Sequence, residues 1–217
     1  RITNTPEQER NVSFSPDGRS ILYAGERKSS WNLYQSTLKR EEDKYFFNST
    51  LLLETAILET AEETFQPAYS PDGKEVAFLS ERTELQVINL ESKVVRTIVK
   101  KNQNYSYSDG DQYYQWSPDS KWFLVDFLKD NQWIGEIGLV KADGSEKVIN
   151  LTRSGYSDGN GKWMMGGNMM LWFSDRDGMK NHASWGSEMD VYGMFFTQDA
   201  YDRFRLTKEE YTLLKEQ

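Results

Sequence analysis

The chain contains no cysteine and a single histidine, His182, among 217 residues. Without cysteine there are no disulfides, thiolate metal sites, cysteine nucleophiles or iron–sulfur clusters. A Ser–His–Asp triad would depend on His182, which lies in a polar stretch and is interpreted as an exposed loop residue, and no HExxH zinc motif is present. The sequence therefore predicts no catalytic residue, no metal site and no cofactor on this chain.

Basic clusters and long apolar runs are also missing. The 26 Lys and Arg residues are outnumbered by 34 Asp and Glu, which gives a net charge of −8. Because phosphate recognition needs clustered basic side chains, we expect no nucleic-acid partner. The longest apolar run, Trp163–Phe173, is shorter than the roughly 20 residues of a membrane helix, so no membrane span is predicted.

What the chain does contain is an internal repeat. An aromatic residue followed by Ser-Pro-Asp occurs three times, and a degenerate copy, WMMGGN, follows at the same spacing. The four copies start at Phe14, Tyr69, Trp116 and Trp163, at intervals of 55, 47 and 47 residues. Apolar and charged positions downstream stay aligned in all four copies, which chance does not readily produce.

Each repeat is expected to form four antiparallel strands. The aromatic residue ends the first strand, and Pro-Asp-Gly makes a tight turn in which glycine takes the left-handed conformation. The next run is apolar on both faces, as in a strand covered from both sides. Such second strands are predicted at Ile21–Ala24, Val76–Leu79, Phe123–Val125 and Met170–Phe173. Third strands are predicted at Trp31–Leu38, Leu85–Leu90, Ile134–Val140 and Val191–Phe196. Fourth strands are predicted at Leu51–Leu58, Val94–Val99, Lys147–Leu151 and Phe204–Leu206.

Four antiparallel strands in a repeat of about 40–50 residues are typical of β-propeller blades. We therefore predict an all-β fold, with about four four-stranded blades of a larger ring over residues 1–206. A β-sandwich with coincidental turns is the alternative, although sandwiches do not repeat internally in register.

The two ends of the chain carry further signals. Arg1–Asn4 resembles the fourth-strand sequence at Ile149–Ser154, so the chain is expected to open inside a blade. Thr207 is a candidate N-cap with Glu210 three residues later, so residues 207–217 are predicted to form a helical linker toward a further domain. Since the first methionine is Met164, the chain is expected to be a piece of a longer protein.

The SPDG repeat, with RITN before it and a Ser-Asp/Glu-Arg turn after it, resembles the TolB-type, WD-repeat-like propeller repeat. The stretch Phe173–Glu210 resembles the end of the propeller in bacterial tricorn-type serine peptidases. This resemblance implies a parent with a PDZ-like domain and a serine-peptidase core downstream, in which the propeller holds no catalytic residue. It also implies a periplasmic or other extracytoplasmic location.

The predicted function is that of a non-catalytic propeller module of a tricorn-like serine peptidase, which filters or guides peptide substrates or scaffolds the assembly. Its expected partners are peptides or the parent's own peptidase domains, and unpaired strand edges also favour self-association. Two alternatives stay open: a free-standing TolB-like protein-binding propeller, and the propeller cap of a prolyl-oligopeptidase-type hydrolase.

A candidate binding rim lies in the loops that enter the first strand of a blade and those that join strands two and three, because these loops share one face. The rim candidates are Tyr105, Tyr107, Asp109, Asp111, Tyr156, Asp158, Arg176 and Trp185. Aromatic residues beside acids suit a basic or amphipathic peptide. A solvated rim with turn chemistry alone is the alternative.

Two features of the apolar strands need separate interpretation. Asp126 occupies a position that is apolar in the other repeats, and we expect the strand end to reach solvent there, since a buried carboxylate needs partners or shifts its pKa. Met164, Met165, Met169 and Met170 could form a soft copper site, but core packing is the favoured interpretation.

Overall fold

The computed structural model describes residues 2–106, 112–128, 133–180 and 186–216. Within these ranges the chain forms four antiparallel sheets, and each sheet is built from strands that follow one another in sequence. This arrangement confirms the predicted fold, a series of β-propeller blades. No helix in the described ranges is long and apolar enough to cross a membrane.

The strand bounds follow the repeat. Blade one contains β1 (Glu9–Phe14), β2 (Ser20–Arg27), β3 (Ser30–Leu38) and β4 (Leu52–Leu58). Blade two contains β5 (Thr64–Tyr69), β6 (Glu75–Ser80), β7 (Glu84–Asn89) and β8 (Val95–Val99). Blade three contains β9 (Tyr114–Trp116), β10 (Trp122–Leu128), β11 (Gly135–Lys141) and β12 (Ile149–Asn150). Blade four contains β13 (Asp158–Met164), β14 (Met169–Ser174) and β15 (Asp190–Phe195).

In the described residues blade four has three strands, and the fourth strand predicted at Phe204–Leu206 is wrong. A helix, α1 (Gln198–Phe204), occupies this part of the chain instead. Thr197 caps it by accepting a hydrogen bond from the backbone N–H of Ala200, and a polar cap of this kind starts helices. The helix predicted after Leu206 is present as α2 (Lys208–Lys215), with the expected capping box between Thr207 and Glu210.

The strand expected at the start of the chain is absent over Ile2–Asn4, and the first strand begins only at Glu9. Pro6, which follows this segment, lacks the N–H that a sheet ladder requires. The resemblance of Arg1–Asn4 to a fourth strand therefore does not extend to its conformation in the described residues.

The Ser-Pro-Asp turns share one hydrogen-bond pattern. In each, the serine hydroxyl donates to the aspartate Oδ1, over 2.6 Å in Ser15–Asp17, 2.6 Å in Ser70–Asp72 and 2.5 Å in Ser117–Asp119. The left-handed position is held by Gly18, Gly73 and, in the third copy, Ser120. In blade four a 3-10 turn at Met165–Gly167 replaces this pattern, so the degenerate sequence has a different local structure.

The hydrophobic core lies between the blades. Successive side chains of a strand point to opposite faces, so Phe123 contributes to the core with blade two and Leu124 to the core with blade four. The core between blades one and two contains Leu22, Ala24, Leu33, Val76, Phe78 and Ile88. The second strands of blades two and three are thereby covered from both sides, as the apolar runs predicted, whereas Phe173 on the second strand of blade four is exposed.

Tryptophans at the end of the first strands link neighbouring blades. The indole Nε1–H of Trp116 donates to the carbonyl of Ala68 over 3.2 Å, and that of Trp163 donates to the carbonyl of Gln115 over 3.3 Å. Ala68 and Gln115 occupy the same position in blades two and three. The repeat therefore fixes one blade against the next through a recurring polar contact.

The outer faces of the first and last blades are less well covered. Val12 and Phe14 of blade one are each 61% exposed, as is Val191 of blade four. Helix α1 covers part of blade four, where Phe195 packs edge-on against Tyr201.

The methionines divide into two pairs. Met169 and Met170 are buried, as core packing predicts, whereas Met164 and Met165 are 42% and 38% exposed. Core packing is therefore wrong for Met164 and Met165, because β13 ends at Met164 and the chain turns into solvent there.

Candidate functional site

The predicted rim is formed by the β2–β3 type loops and by the crossovers between blades. Of its eight candidate residues, Tyr105, Tyr156, Asp158 and Arg176 lie in the described part of the chain. The other rim candidates, together with His182, lie outside the described residues; they are Tyr107, Asp109, Asp111 and Trp185. The geometry of the rim is therefore built from blade four and from the connection between blades two and three.

Asp158 and Arg176 form the centre of the described rim. Asp158 starts β13, and its side chain is fully buried; its Oδ1 lies 3.0 Å from Nη2 of Arg176. The same oxygen accepts the indole Nε1–H of Trp172 over 2.9 Å, and Oδ2 accepts the hydroxyl of Ser154. Burial alone would raise the pKa of Asp158, but the hydrogen bonds from Ser154, Ser174, Trp172 and Arg176 lower it below its ordinary value.

The repeat explains why Arg176 lies there. Arg27 and Arg82 occupy the same position in blades one and two, and each pairs with an acid near the start of its own first strand: Glu9 over 3.0 Å and Glu63 over 3.3 Å. The guanidinium of Arg176 also lies 4.6 Å from the ring centroid of Tyr192, as Arg27 lies over a tyrosine of blade one. The arginines at this position are thus paired with an acid of their own blade in blades one, two and four.

The aromatic rim candidates are more accessible. Tyr156 is 44% exposed, and the ammonium of Lys180 lies 5.4 Å from its ring centroid. Tyr105 is 41% exposed and packs edge-on against Trp133, with the ring centroids 4.8 Å apart. Trp133 is 70% exposed and was missed by the sequence reasoning, although it lies in the strand-two-to-three loop of the repeat that should have included it.

A second buried carboxylate that the sequence reasoning missed supports the crossover between blades three and four. Glu136, only 5% exposed, accepts the hydroxyl of Thr152 over 2.5 Å. It also accepts the backbone N–H groups of Ser154 and Gly155, each over 3.2 Å. These bonds fix the backbone just before Tyr156 and so set the position of its exposed ring.

The sequence Gly155–Gly159 has the spacing of a G-x-S-x-G nucleophile motif, with Ser157 at its centre. A nucleophile elbow is a sharp strand-to-helix turn, whereas this segment leads from a crossover loop into the strand β13. The backbone N–H of Ser157 donates to Asp175 over 3.0 Å, as part of the loop. The local structure therefore gives Ser157 no nucleophilic role.

Asp126 does not mark a strand end, since β10 continues to Leu128, but the residue is only partly buried. Both carboxylate oxygens lie 3.1 Å from the backbone nitrogen of Asn160, in a β-bulge of β13. Burial raises the pKa of Asp126 to about 7, although the N–H groups of Asn160 and Gly161 favour the ionised form. A titratable carboxyl therefore lies inside the interface between blades three and four.

Together the described rim offers exposed aromatic surface on a framework of paired charges, with no group poised to act as nucleophile or base. Within the same ranges, no three His, Asp or Glu side chains approach closely enough to hold a metal ion. Such a surface can bind a partner by stacking and apolar contact. The carboxylate of Asp158 is enclosed and does not contact such a partner.

No protein-family model matches the chain. A stretch of 116 residues is 31% identical to Dipeptidyl-peptidase 5 of Porphyromonas gingivalis. This stretch covers 51% of the chain but only 16% of that peptidase.

Solved structures share the fold over most of the chain. TolB from Acinetobacter baumannii is 18% identical, with a TM-score of 0.55 over 91% of this chain and 43% of its own. The tricorn protease is 13% identical, with a TM-score of 0.59 over 88% of this chain and 18% of its own. A prolyl endopeptidase structure is 17% identical, with a TM-score of 0.56 over 87% of this chain and 28% of its own.

The chain therefore spans less than half the length of each of these proteins. At these identities the likeness concerns the fold, and the fold agrees with the repeat, the turns and the sheet order described above. The chain is a series of β-propeller blades of the kind found in TolB and in the propellers of peptidases.

Proposed function

We propose that this chain is the non-catalytic propeller module of a larger tricorn-like serine peptidase, in which it guides or filters peptide substrates or scaffolds the assembly. The fold likeness to the tricorn protease is the observation that carries this proposal. A described rim that contains no catalytic arrangement supports it.

The rim gives the proposed guiding role a physical basis. Tyr156, Tyr105 and Trp133 offer exposed rings, and the carboxylates beneath them are held in place by hydrogen bonds. Rings on a fixed backbone provide contact area at a low entropic cost, which suits transient contact with many peptides. We extend this role to the four rim candidates outside the described residues, Tyr107, Asp109, Asp111 and Trp185.

A serine-hydrolase probe tests the catalytic half of the proposal. The complete protein that contains this chain is treated with a fluorophosphonate, and the labelled peptide is identified by mass spectrometry. We expect one labelled serine outside these 217 residues, and a Ser157→Ala variant that labels as well as the wild type. A label inside the 217 residues, or no label on the complete protein, would overturn the proposal.

The guiding half is tested by replacing rim rings in the same complete protein. Tyr156→Ala combined with Trp133→Ala is expected to raise KM for peptide substrates about 5- to 30-fold, since each of the two lost contacts is worth roughly 0.5–1 kcal/mol. The rate of labelling by the small probe should not change. Phe47→Ala is the matched control, because Phe47 is 87% exposed but lies on the opposite face, between β3 and β4. An equal effect of both changes on KM would contradict a specific role of the rim.

A second candidate is the propeller cap of a prolyl-oligopeptidase-type hydrolase. The fold likeness to a prolyl endopeptidase and the stretch shared with a dipeptidyl-peptidase favour it specifically. The two candidates differ in the catalytic module: a nucleophile elbow in an α/β-hydrolase domain around the labelled serine would select the cap. A free-standing TolB-like binding propeller, suggested by the likeness to TolB, would leave the complete protein unlabelled.

We propose that residues 207–217, which include α2, form a linker toward a downstream domain, that the parent is extracytoplasmic, and that the isolated chain self-associates through its uncovered outer blade faces. Val191→Lys is expected to shift the isolated chain toward monomer in sedimentation velocity. A wild-type chain that stays monomeric at high concentration would contradict the self-association.

A further inference from the structure

A cleft of about 370 Å³ opens between blades three and four on the face that carries the Ser-Pro-Asp turns, opposite the rim. Its volume lies within the range of about 300–1,000 Å³ occupied by small-ligand sites. The residues that give it its chemical character are Pro118, Asp119, Trp122, Trp163, Asn168 and Phe196. It is thus an aromatic cleft with a carboxylate among its lining residues.

The cleft coincides with the irregular turn of the repeat. Blade three presents its Ser-Pro-Asp turn, whereas blade four presents the 3-10 turn at Met165–Gly167. Gly167 lies directly against Pro118, since a Cβ built on it would be 3.5 Å from the proline Cδ. Ala142 in blade three and Phe196 in blade four occupy equivalent positions. Each donates its backbone N–H to the carbonyl of the residue that follows the left-handed position of the turn.

The equivalent gap between blades two and three is also a hollow, of about 350 Å³, but an arginine of the chain lines it. There the chain supplies its own arginine: Arg96 makes two hydrogen bonds to Glu75, of 2.7 and 2.6 Å, and donates Nε–H to the carbonyl of Ala142 over 2.8 Å. The turns also touch, because the backbone N–H of Asp72 donates to the hydroxyl of Ser120 over 3.1 Å.

Strand pairing aligns the two gaps residue by residue. Trp122 takes the place of Glu75, and Ile149 takes the place of Arg96. The gap between blades three and four therefore has no arginine of its own at this position. The gap between blades three and four has the indole of Trp122 where the neighbouring gap has the carboxylate of Glu75. The carboxylate that lines it comes instead from the turn residue Asp119.

The lining groups suit a guanidinium. Trp122 also borders the neighbouring hollow, where the ammonium of Lys141 lies 5.6 Å from its ring centroid, so this ring already accepts a cation. Asp119 is exposed, and hydrogen bonds from Ser117 and from the backbone of Lys121 lower its pKa, so it is ionised at neutral pH. Those two bonds both reach Oδ1.

We propose that this cleft binds the arginine side chain of a peptide, with the guanidinium paired to Asp119 and its plane against the indole of Trp122 or Trp163. This inference does not depend on the proposed peptidase function, because it concerns the opposite face and the binding chemistry alone.

The test uses the 217-residue chain and two small probes. Acetyl-Gly-Arg-Gly-amide is titrated by calorimetry and by ¹H–¹⁵N NMR, in which the indole N–H signals of Trp122 and Trp163 report the site. The citrulline peptide, which has the same shape without the charge, is titrated in parallel. We expect saturable binding of the arginine peptide with shifts of these two indole signals, and at least 5-fold weaker binding of the citrulline peptide.

The control variants come from the repeat. Asp119→Asn should weaken binding of the arginine peptide about 5- to 10-fold, because it removes the negative charge but keeps an oxygen that accepts the hydrogen bonds from Ser117 and Lys121. Asp72→Asn is the matched control, since Asp72 makes the same two turn bonds, with Ser70 and Lys74, outside the cleft. It should change the affinity less than 2-fold.

Three results would overturn the proposal. These are no saturable binding at 10 mM probe (a concentration about tenfold above a millimolar Kd), equal binding of the arginine and citrulline peptides, or an equal loss in the two aspartate variants. The citrulline comparison is made on the unaltered chain, so it stands even where a variant folds poorly.

Discussion

The two faces of the propeller use similar residue types in opposite ways. On the rim, the carboxylates of Asp158 and Glu136 are buried and bonded within the chain. On the turn face, Asp119 stays exposed beside an open aromatic cleft. The difference shows that an acidic residue next to aromatic residues in sequence does not by itself indicate a binding surface. What decides is whether the repeat also supplies the partner, as it does at Arg176 but not at Ile149.

The largest expected effect on stability comes from replacing Arg176 on the rim. Arg176→Met removes the cation from a carboxylate whose side chain is 0% exposed, so the free energy of unfolding should fall by about 3 kcal/mol or more. Urea unfolding monitored by circular dichroism measures this loss. Arg203→Met is the control: its ion pair with Asp199 is more than half exposed, and its loss should cost no more than about 1 kcal/mol. Equal losses in the two variants would mean that the rim pair is not buried in solution.

The titration of Asp126, at the interface between blades three and four, gives the next largest expected effect. Because its pKa is raised to about 7 in the folded chain, the protonated form contributes stability that is lost as the pH rises toward 7. Between pH 5 and pH 8 the wild type should lose about 2–3 kcal/mol relative to Asp126→Asn. Chemical unfolding across this pH range measures the difference. Asp143→Asn, at a carboxyl whose pKa is lowered, should give a flat difference over the same range.

The smallest of the expected effects concerns the contact that joins blades three and four beside the cleft. Trp163→Phe removes the indole N–H that bonds to the carbonyl of Gln115, so it should lower the free energy of unfolding by about 1–2 kcal/mol. Trp133→Phe is the control on the rim, where the ring is exposed, and it should stay within about 0.5 kcal/mol. Thermal unfolding of both variants gives the comparison, and a loss at Trp133 that matched Trp163 would argue against the inter-blade bond.

The fold could be predicted from the sequence because several independent features of the repeat agree with one another. Turn chemistry, apolar runs and spacing all recur, so the third strands were placed within about a residue of their observed bounds. The errors lie where the repeat fades: α1 replaces the expected fourth strand because Thr197 caps a helix, which no alignment to earlier blades could reveal.

The site was harder to predict, for a different physical reason. Sequence placed Asp158, Arg176, Tyr156 and Tyr105 on one face, but it could not distinguish a buried, paired acid from an exposed one. That distinction depends on contacts from residues such as Ser154 and Trp172, which reach Asp158 from different loops and strands. The cleft could not be predicted either, because it lies at the one turn that departs from the repeat.

The indole-to-carbonyl bonds between successive first strands have a consequence for how such a chain can change over evolution. Each bond links only neighbouring blades, with the donor on one blade and the acceptor at a fixed position on the blade before it. A blade that carries both a donor and an acceptor can be duplicated, deleted or grafted as a unit, because the new junction restores the same bond. Stability then accumulates junction by junction, as in other repeat proteins, and whole blades are the natural units of recombination.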